Sequence, residues 1–203
     1  MRSRVRSIVV AIAVAVGVSG LLAAPAEAAR DRFAYGDSVM LGAKSQLQAD
    51  GFRVDAHESR QAYSAPAAMR KKAARLPRNV VVHMGTNGTF PRSTCDALVR
   101  ALTPEHRLFL VTVHVRRSWA AGNNRMIRQC VKDHAAQGVR LIDWDAAASK
   151  SSGWLYSDGI HLKSAGARGY ARLLDSAVDA AVRDDRLAAM AKATGHGQAA
   201  VDR

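Results

Sequence analysis

Short apolar segments alternate with longer amphipathic segments along most of this chain. The short segments are rich in Val, Ile, Leu and Phe, as buried strands are, whereas apolar residues recur at helical intervals in the longer ones. A regular alternation of strands and helices is typical of a parallel sheet covered by helices. The pattern therefore predicts an α/β fold, a single-domain three-layer α/β/α sandwich with a mainly parallel five-stranded sheet. The candidate strands are residues 32–35, 52–55, 79–84, 108–114 and 139–144.

The candidate helices lie between these strands and after the last one. They are residues 39–49, 65–75, 93–102 and 123–137. The clearest helical stripe comes later, where apolar residues recur at steps of three and four: Tyr170, Leu173, Leu174, Ala177, Val178, Ala181 and Val182. From Thr194 onward this period is lost, and we expect residues 194–203 to form a disordered tail.

The first 28 residues have the organisation of a secretory signal peptide. Three arginines within residues 2–6 precede an apolar run over residues 8–24 and an Ala-Glu-Ala sequence at residues 26–28. The alternative is an uncleaved membrane anchor, which needs about 20 apolar residues, and this run is shorter and interrupted. We therefore expect a secreted or extracytoplasmic protein in which residues 29–193 form the folded domain.

The chain is strongly basic, with 30 Lys and Arg residues, 17 Asp and Glu residues and a formal net charge of +13. The cationic residues are spread along the chain without a long run, and export also argues against nucleic acid as a partner. An anionic cell-wall polymer or membrane surface remains a candidate for nonspecific attraction. We expect a monomer.

Cys95 and Cys130 are the two cysteines of the chain. An even number of cysteines in an exported protein favours a disulfide over a metal site or a catalytic thiol. Both fall on predicted helices, those after strands three and four, which should lie side by side on one face of the sheet. We therefore predict a Cys95–Cys130 bond, with two reduced and buried thiols as the alternative.

Three loops carry residues that can do chemistry. Ser38 sits where a strand turns into a helix, where helix amides can stabilise an oxyanion. Asp158 and His161 are three residues apart in a turn, so the carboxylate can orient the imidazole as a general base. Asn87 follows another strand, and its amide can donate to an oxyanion. Each has a structural alternative: a helix N-cap for Ser38, a surface turn for the Asp–His pair and a turn residue for Asn87.

Together these motifs resemble, in order and context, those of the SGNH (GDSL-like) hydrolase superfamily, whose sheet is flavodoxin-like. The segments 36–43 (GDSVMLGA), 81–88 (VVHMGTNG) and 157–162 (SDGIHL) more narrowly resemble the extracytoplasmic SGNH domain of bacterial peptidoglycan O-acetyltransferases. The resemblance covers nearly all of residues 32–182. It implies a catalytic triad of Ser38, His161 and Asp158, with the Ser38 amide and the Asn87 side chain in the oxyanion hole.

The second sequence block departs from the superfamily pattern. Where many members have a glycine donor after strand two, this chain has Ser59-Arg60-Gln61. We assign these three residues, with Gly85 and Trp154, to a region that contacts substrate or completes the oxyanion hole. The sequence contains no metal-ligand cluster or nucleotide fingerprint, and we expect no metal and no cofactor.

The sequence therefore predicts an exported serine esterase that removes small acyl groups, such as acetyl, from a carbohydrate or cell-wall polymer. One alternative is an O-acyltransferase with a sugar acceptor, and another is a non-catalytic basic module that binds the wall. We expect net hydrolysis, because proteins with similar motifs carry a multispan membrane domain that delivers the acyl group, and residues 29–203 contain no such span. A separate membrane acyl-donor partner is the other possible source of the acyl group.

Overall fold

The computed structural model describes residues 32–201, with side chains described as far as residue 192. The predicted signal peptide lies outside the described residues. Five strands alternate with helices, as the sequence predicts. The strands are β1 (Arg32–Gly36), β2 (Phe52–Ala56), β3 (Asn79–His83), β4 (Arg107–Val111) and β5 (Arg140–Ile142). The helices are α1 (Ser38–Gly42), α2 (Lys44–Ala49), α3 (Ala65–Lys72), α4 (Arg92–Leu102), α5 (Ala120–His134), α6 (Trp144–Ser149) and α7 (Ser164–Val201).

The strands form one parallel sheet in the order β2-β1-β3-β4-β5. The chain leaves β1 toward β2 on one side and then returns to add β3 on the other side. The direction of winding therefore reverses next to β1, and in open α/β sheets such a switch point is where ligands bind. The loop after β1 begins with Asp37 and Ser38, so the fold places this serine at the switch point.

Alternate residues of each central strand enter opposite layers of the core. In β3, Val81 packs with α1, α2, α6 and α7, whereas Val80 and Val82 pack with α3, α4 and α5. Both layers are closely filled, and their largest fully buried side chains include Trp144 and Tyr170. The predicted three-layer α/β/α sandwich is thus the observed architecture.

Two covalent or ionic connections hold the helices in place. The predicted disulfide is present: Cys95 on α4 and Cys130 on α5 are both fully buried, with their Cα atoms 6.1 Å apart. On the other face, the buried Arg32 of β1 forms ion pairs with Asp175 and Asp179, which are one turn apart on α7. Helix α7 is therefore anchored to the sheet near its middle.

The structure differs from the sequence expectation at four places. The helix predicted over residues 39–49 is divided at Ala43 into α1 and α2. Strand β4 ends at Val111, short of the predicted end at residue 114. The backbone N–H and C=O of Val113 are hydrogen-bonded to the side chain of Asn124 and are therefore not available to a neighbouring strand. Strand β5 is followed directly by α6, which the sequence analysis did not predict and which Asp143 caps. Helix α7 extends to Val201, so the backbone is helical over residues 194–201, where the sequence predicts a tail.

None of the helices within residues 32–201 combines the length and the hydropathy that a bilayer span requires.

Candidate active site

Ser38 is the first residue of α1, directly beyond the carboxyl end of β1. The residue that caps this helix is Asp37, whose buried carboxylate accepts a hydrogen bond of 3.1 Å from the amide of Val39. The capping role that is one alternative for Ser38 therefore belongs to its neighbour. The Ser38 hydroxyl is left half-buried and available for another partner.

Asp158 and His161 form a compact turn ahead of α7. One carboxylate oxygen of Asp158 accepts hydrogen bonds from the amides of Ile160 (2.8 Å) and His161 (3.0 Å), and the other lies 2.7 Å from Nδ1 of His161. Gly159 has a φ of +69°, a left-handed conformation that favours glycine, and this reverses the chain between the two side chains. The turn therefore fixes both the position and the orientation of the imidazole.

The second imidazole nitrogen, Nε2 of His161, lies 3.2 Å from Oγ of Ser38. Ser38, His161 and Asp158 thus form a continuous hydrogen-bonded chain in the order hydroxyl, imidazole, carboxylate. The pKa of Asp158 is lowered, chiefly because His161 donates a hydrogen bond to its carboxylate and also because of the two backbone amides. An ionised carboxylate at Nδ1 favours the tautomer whose free Nε2 can accept a proton from serine.

The Ser–His pair lies on an open cleft with a volume of about 560 Å³. Its lining comes from the loops after β1, β2 and β3 and from the turn before α7: Ser38, Leu41, Gly42, Glu58, Ser59, Asn87 and His161. The side chains of His161 and Asp158 are 51% and 43% exposed, respectively. Water therefore reaches the imidazole of His161 directly.

Asn87 lies in this cleft, as the sequence predicts, in the loop after β3. Its Nδ2 atom donates a weak hydrogen bond of 3.3 Å to the carbonyl oxygen of Arg60. An amide nitrogen carries two hydrogens, so this bond orients the side chain while one N–H remains for a ligand. The contact also joins the loop after β3 to the loop after β2.

Of the three residues in the divergent block, Ser59 lines the cleft and Arg60 does not. Ser59 has a φ of +56°, in the left-handed region that favours glycine. The Arg60 guanidinium instead donates to the carbonyl oxygens of Gly36 (3.2 Å) and Asp55 (2.6 Å) and stacks on the ring of Tyr35. Arg60 therefore fastens the loop after β2 to the ends of β1 and β2.

The remaining predicted residues of this region support the loops. The side chain of Gln61 donates to the carbonyl oxygen of Ser59, at 3.3 Å. Gly85 packs so closely against Asn123 that an added β-carbon would lie 3.0 Å from the Asn123 amide nitrogen. Trp154 is not among the residues that line this cleft: its ring stacks on Trp144 and packs against α7.

Asn123 is a residue of the site that the sequence analysis missed. This buried side chain on α5 donates to the carbonyl oxygens of Gly85 (2.9 Å) and Gly88 (2.8 Å) and accepts from the amide of Phe90 (2.8 Å). The three hydrogen bonds bracket Asn87 on both sides. An asparagine in a helix carries no sequence signal for such a role, since only the fold places it beside the loop.

The described residues hold one group of side chains close enough together to be considered as metal ligands, namely Cys95, Asp96 and His134. Cys95 is already bonded to Cys130, so its sulfur is not a free thiolate. The disulfide therefore accounts for the cysteine of this group.

Comparison with known proteins places this fold in a known structural class. The catalytic C-terminal domain of peptidoglycan O-acetyltransferase A (OatA) from Streptococcus pneumoniae superimposes with a TM-score of 0.66 and 24% identity, over 75% of this chain and 94% of that chain. A family 3 carbohydrate esterase from Talaromyces cellulolyticus superimposes with a TM-score of 0.58 and 17% identity, over 75% and 97% of the two chains. The fold is that of the SGNH hydrolases.

Proteins that are similar in sequence indicate which SGNH proteins this chain is related to. YrhL of Bacillus subtilis, which carries the name of a peptidoglycan O-acetyltransferase, is 32% identical over 158 residues, 76% of this chain and 24% of the relative. OatA of Listeria monocytogenes is 29% identical over 150 residues, 72% of this chain and 24% of the relative. No protein-family model matches. The chain is a homologue of bacterial peptidoglycan O-acetyltransferases through their SGNH domain, and it spans about a quarter of their length.

Proposed function

We propose that this protein is an extracytoplasmic serine esterase that removes acetyl groups from carbohydrate or cell-wall polymer. The observation that carries the proposal is the hydrogen-bonded chain from Ser38 through His161 to Asp158 at the edge of an open cleft. A helix N-cap would not require the histidine, and a surface turn would not require the serine. Nucleophilic catalysis requires a serine hydroxyl within hydrogen-bond distance of a histidine that a carboxylate orients, and this is the arrangement of these three residues.

The first half of the reaction forms an acyl-enzyme. His161 Nε2 takes the proton from Ser38 Oγ as that oxygen attacks the ester carbonyl, and Asp158 stabilises the resulting imidazolium. The tetrahedral intermediate then collapses, the bond to the sugar oxygen breaks, and His161 returns its proton to that leaving oxygen. The acetyl group is left as an ester of Ser38.

The second half removes the acetyl group. A water molecule in the exposed cleft loses its proton to His161 and attacks the acetyl carbonyl, so that acetate is released and the Ser38 hydroxyl is restored. In both halves the negative oxygen is stabilised by the backbone amide of Ser38, at the start of α1, and by the side-chain amide of Asn87. No cofactor enters either half.

The substrate class is inferred from chemistry and from the relatives together. The cleft is open and has polar residues in its lining, which suits part of a glycan better than a buried fatty chain. The relatives and structural neighbours are named for peptidoglycan O-acetylation and for carbohydrate ester hydrolysis. An acetylated carbohydrate of the cell wall fits both observations, and it also fits the predicted export of the chain.

A second candidate function is O-acetyl transfer, in which a sugar hydroxyl replaces water in the second half. The specific support is that the sequence relatives are named as O-acetyltransferases. The same triad serves both reactions, and a separate membrane partner is one possible source of the acetyl group. The two functions differ only in which hydroxyl reaches the acetylated Ser38.

Labelling with a fluorophosphonate tests the shared core of both functions. The reagent should attach to Ser38 in the purified protein and not to the Ser38→Ala variant, and peptide mass spectrometry should locate the adduct. Ser45, an exposed serine on α2, provides the matched control, because Ser45→Ala should label normally. An unlabelled protein that also fails to hydrolyse an aryl acetate would instead favour the non-catalytic wall-binding module.

A further inference from the structure

An arginine outside the triad lies directly against the catalytic turn. Arg116 belongs to the loop between β4 and α5, and it covers Gly159 in the Asp158–His161 turn. A β-carbon added to Gly159 would lie 3.0 Å from Nε and 3.3 Å from Cζ of Arg116. The guanidinium is therefore in contact with the backbone that carries the triad's carboxylate and imidazole.

The charge of Arg116 is not used within the part of the chain that the structure describes. Other guanidiniums of the domain are engaged by carboxylates: Arg32 by Asp175 and Asp179, and Arg60 by Asp55. Arg116 is exposed, and no hydrogen bond or ion pair joins it to another residue in the range 32–201. Its planar set of N–H donors is thus free to receive an anion, and carboxylates fit such a set in a bidentate manner.

The loop that carries Arg116 is held on both sides. Asn124 binds the backbone of Val113 at its start, and the indole N–H of Trp119 donates to the carbonyl oxygen of Thr86, at 3.3 Å, near its end. Thr86 is next to Asn87. The loop is therefore tied to the same segment that supplies the proposed oxyanion donor, which limits the entropy lost when Arg116 binds a ligand.

The side of the cleft away from Arg116 carries a negative charge, that of Glu58. Glu58 lines the cleft in the loop after β2. Arg116, in the loop after β4, lies outside the lining and contacts the turn that carries His161, so it stands at the rim of the cleft. The sheet order places these two loops on either side of the β1 and β3 loops. A negatively charged substituent is repelled at the Glu58 end and attracted at the Arg116 end. A substrate that carries such a group will therefore bind in one direction.

We propose that Arg116 forms an anion subsite that selects acetylated sugars carrying a carboxylate, and that it orients them with the carboxylate on the β4 side of Ser38. This inference rests on the proposed esterase function and specifies its substrate class.

The test compares two sugars that differ in one group, an acetylated methyl glucuronate and the corresponding acetylated methyl glucoside. The ratio of their kcat/KM values should favour the glucuronate in the parent protein and fall roughly five- to tenfold in Arg116→Gln. Arg116→Lys should keep part of the preference. Arg117→Gln is the matched control, since Arg117 is the adjacent exposed arginine of the same loop, and it should leave the ratio unchanged.

Added salt should weaken the preference in the parent protein, because the proposed contact is exposed. Equal ratios in the parent protein, Arg116→Gln and Arg117→Gln would overturn the inference while leaving the esterase function intact. An equal loss of activity on both sugars would assign Arg116 a purely structural role in the turn and would also overturn it.

A binding experiment keeps the inference testable if the protein hydrolyses neither sugar. The Ser38→Ala variant, with and without Arg116→Gln, is titrated with unacetylated methyl glucuronate and methyl glucoside, and binding is followed by NMR shifts of residues around the cleft. Preferential binding of the glucuronate that disappears with Arg116→Gln supports the subsite. Absence of any preference contradicts it, whatever the catalytic result.

Discussion

His161 Nε2 and Ser38 Oγ lie 3.2 Å apart, although 123 residues separate them in the sequence. Two features of the fold bring them together. The first is the parallel sheet, which places Ser38 at the carboxyl end of β1, and the second is α7, which Arg32 anchors on β1 so that the turn before it ends above the same sheet edge. The packing of α7 on the parallel sheet therefore forms part of the core and also brings His161 to Ser38.

Removal of either end of this contact should abolish most of the activity. Ser38→Ala and His161→Ala should each lower turnover of an aryl acetate by roughly 10⁴- to 10⁶-fold, because the nucleophile and its base act as one unit. The double variant should be hardly worse than either single one. Circular dichroism checks that the fold is retained. Activity near the parent level in a folded variant would rule out the triad.

The loop after β3 supplies the next prediction. Asn87→Ala should lower turnover by about 10²- to 10³-fold, the effect of losing one oxyanion donor. Asn123→Ala should lower turnover in the same direction, because the three hydrogen bonds that bracket Asn87 are lost. In the double variant the two effects should be strongly non-additive, since both act through the same amide.

Asn124→Ala is the matched control for this pair. Asn124 is also buried, but its side-chain hydrogen bonds go to the backbone of Val113, at 2.8 and 2.9 Å, and to Asp145, and not to the loop that carries Asn87. Both α5 variants should lower the melting temperature, and the loss of turnover should be much larger for Asn123→Ala. Equal turnover in Asn123→Ala and Asn124→Ala would show that Asn123 has only a structural role.

Much of the fold could be predicted because its signals are local. The valines of β3 form a continuous apolar run, which is typical of a strand that is buried on both faces. The apolar residues around Leu174 recur at steps of three and four, which is typical of a helix. The ends of the elements depend on contacts between distant residues. Strand β4 ends before Val113, whose backbone groups are hydrogen-bonded to the Asn124 side chain. The sequence of residues 108–114 does not predict this end, because it depends on a residue of α5.

The site was predictable to the extent that its residues belong to recurrent motifs. Ser38, Asn87 and the Asp158–His161 pair stand in such motifs, and the structure brings them together. Asn123 stands in none, because its role depends on where α5 crosses the loop after β3. Trp154 illustrates the opposite case: its place before the Asp158–His161 turn suggests a substrate contact, whereas the structure shows its ring packed between Trp144 and α7.

The Cys95–Cys130 bond should contribute to stability without contributing to catalysis. The two cysteines are 35 residues apart, and closing a loop of that length in the unfolded chain stabilises the fold by about 4 kcal/mol in the chain-entropy model. The double variant Cys95→Ala/Cys130→Ala should therefore melt roughly 8–16 °C lower. Turnover at low temperature should be retained, because the bond is buried on the face of the sheet away from α7. Alkylation of two thiols in the unreduced parent protein would show that the bond does not form.

The carboxylate of Asp158 should titrate below its ordinary value. Hydrogen bonds from the His161 side chain and from two backbone amides lower its pKa. The unfolded chain then binds this proton more tightly, so the stabilising contribution of the turn is present above a pH of about 3.9 and is lost as the pH falls through the lowered folded pKa. Carboxyl ¹³C NMR of the folded protein measures the midpoint. His161→Ala should raise it toward the ordinary value, and a parent midpoint at or above that value would contradict the observed hydrogen bonding.

The fate of the acetyl group on Ser38 decides between hydrolysis and transfer. Because His161 is half exposed and the cleft is open, water has direct access to the acyl-enzyme, whereas a sugar hydroxyl must first bind. We therefore expect acetate to be the main product when the acceptor is dilute. The purified protein is incubated with an activated acetyl ester and wall-type oligosaccharides, and acetate and acetylated sugar are followed by mass spectrometry, with Ser38→Ala as the background. Acetylated sugar should increase with acceptor concentration without overtaking acetate at low concentration. If it accumulates faster than acetate in dilute acceptor, the protein positions the sugar hydroxyl ahead of water and acts as an O-acetyltransferase.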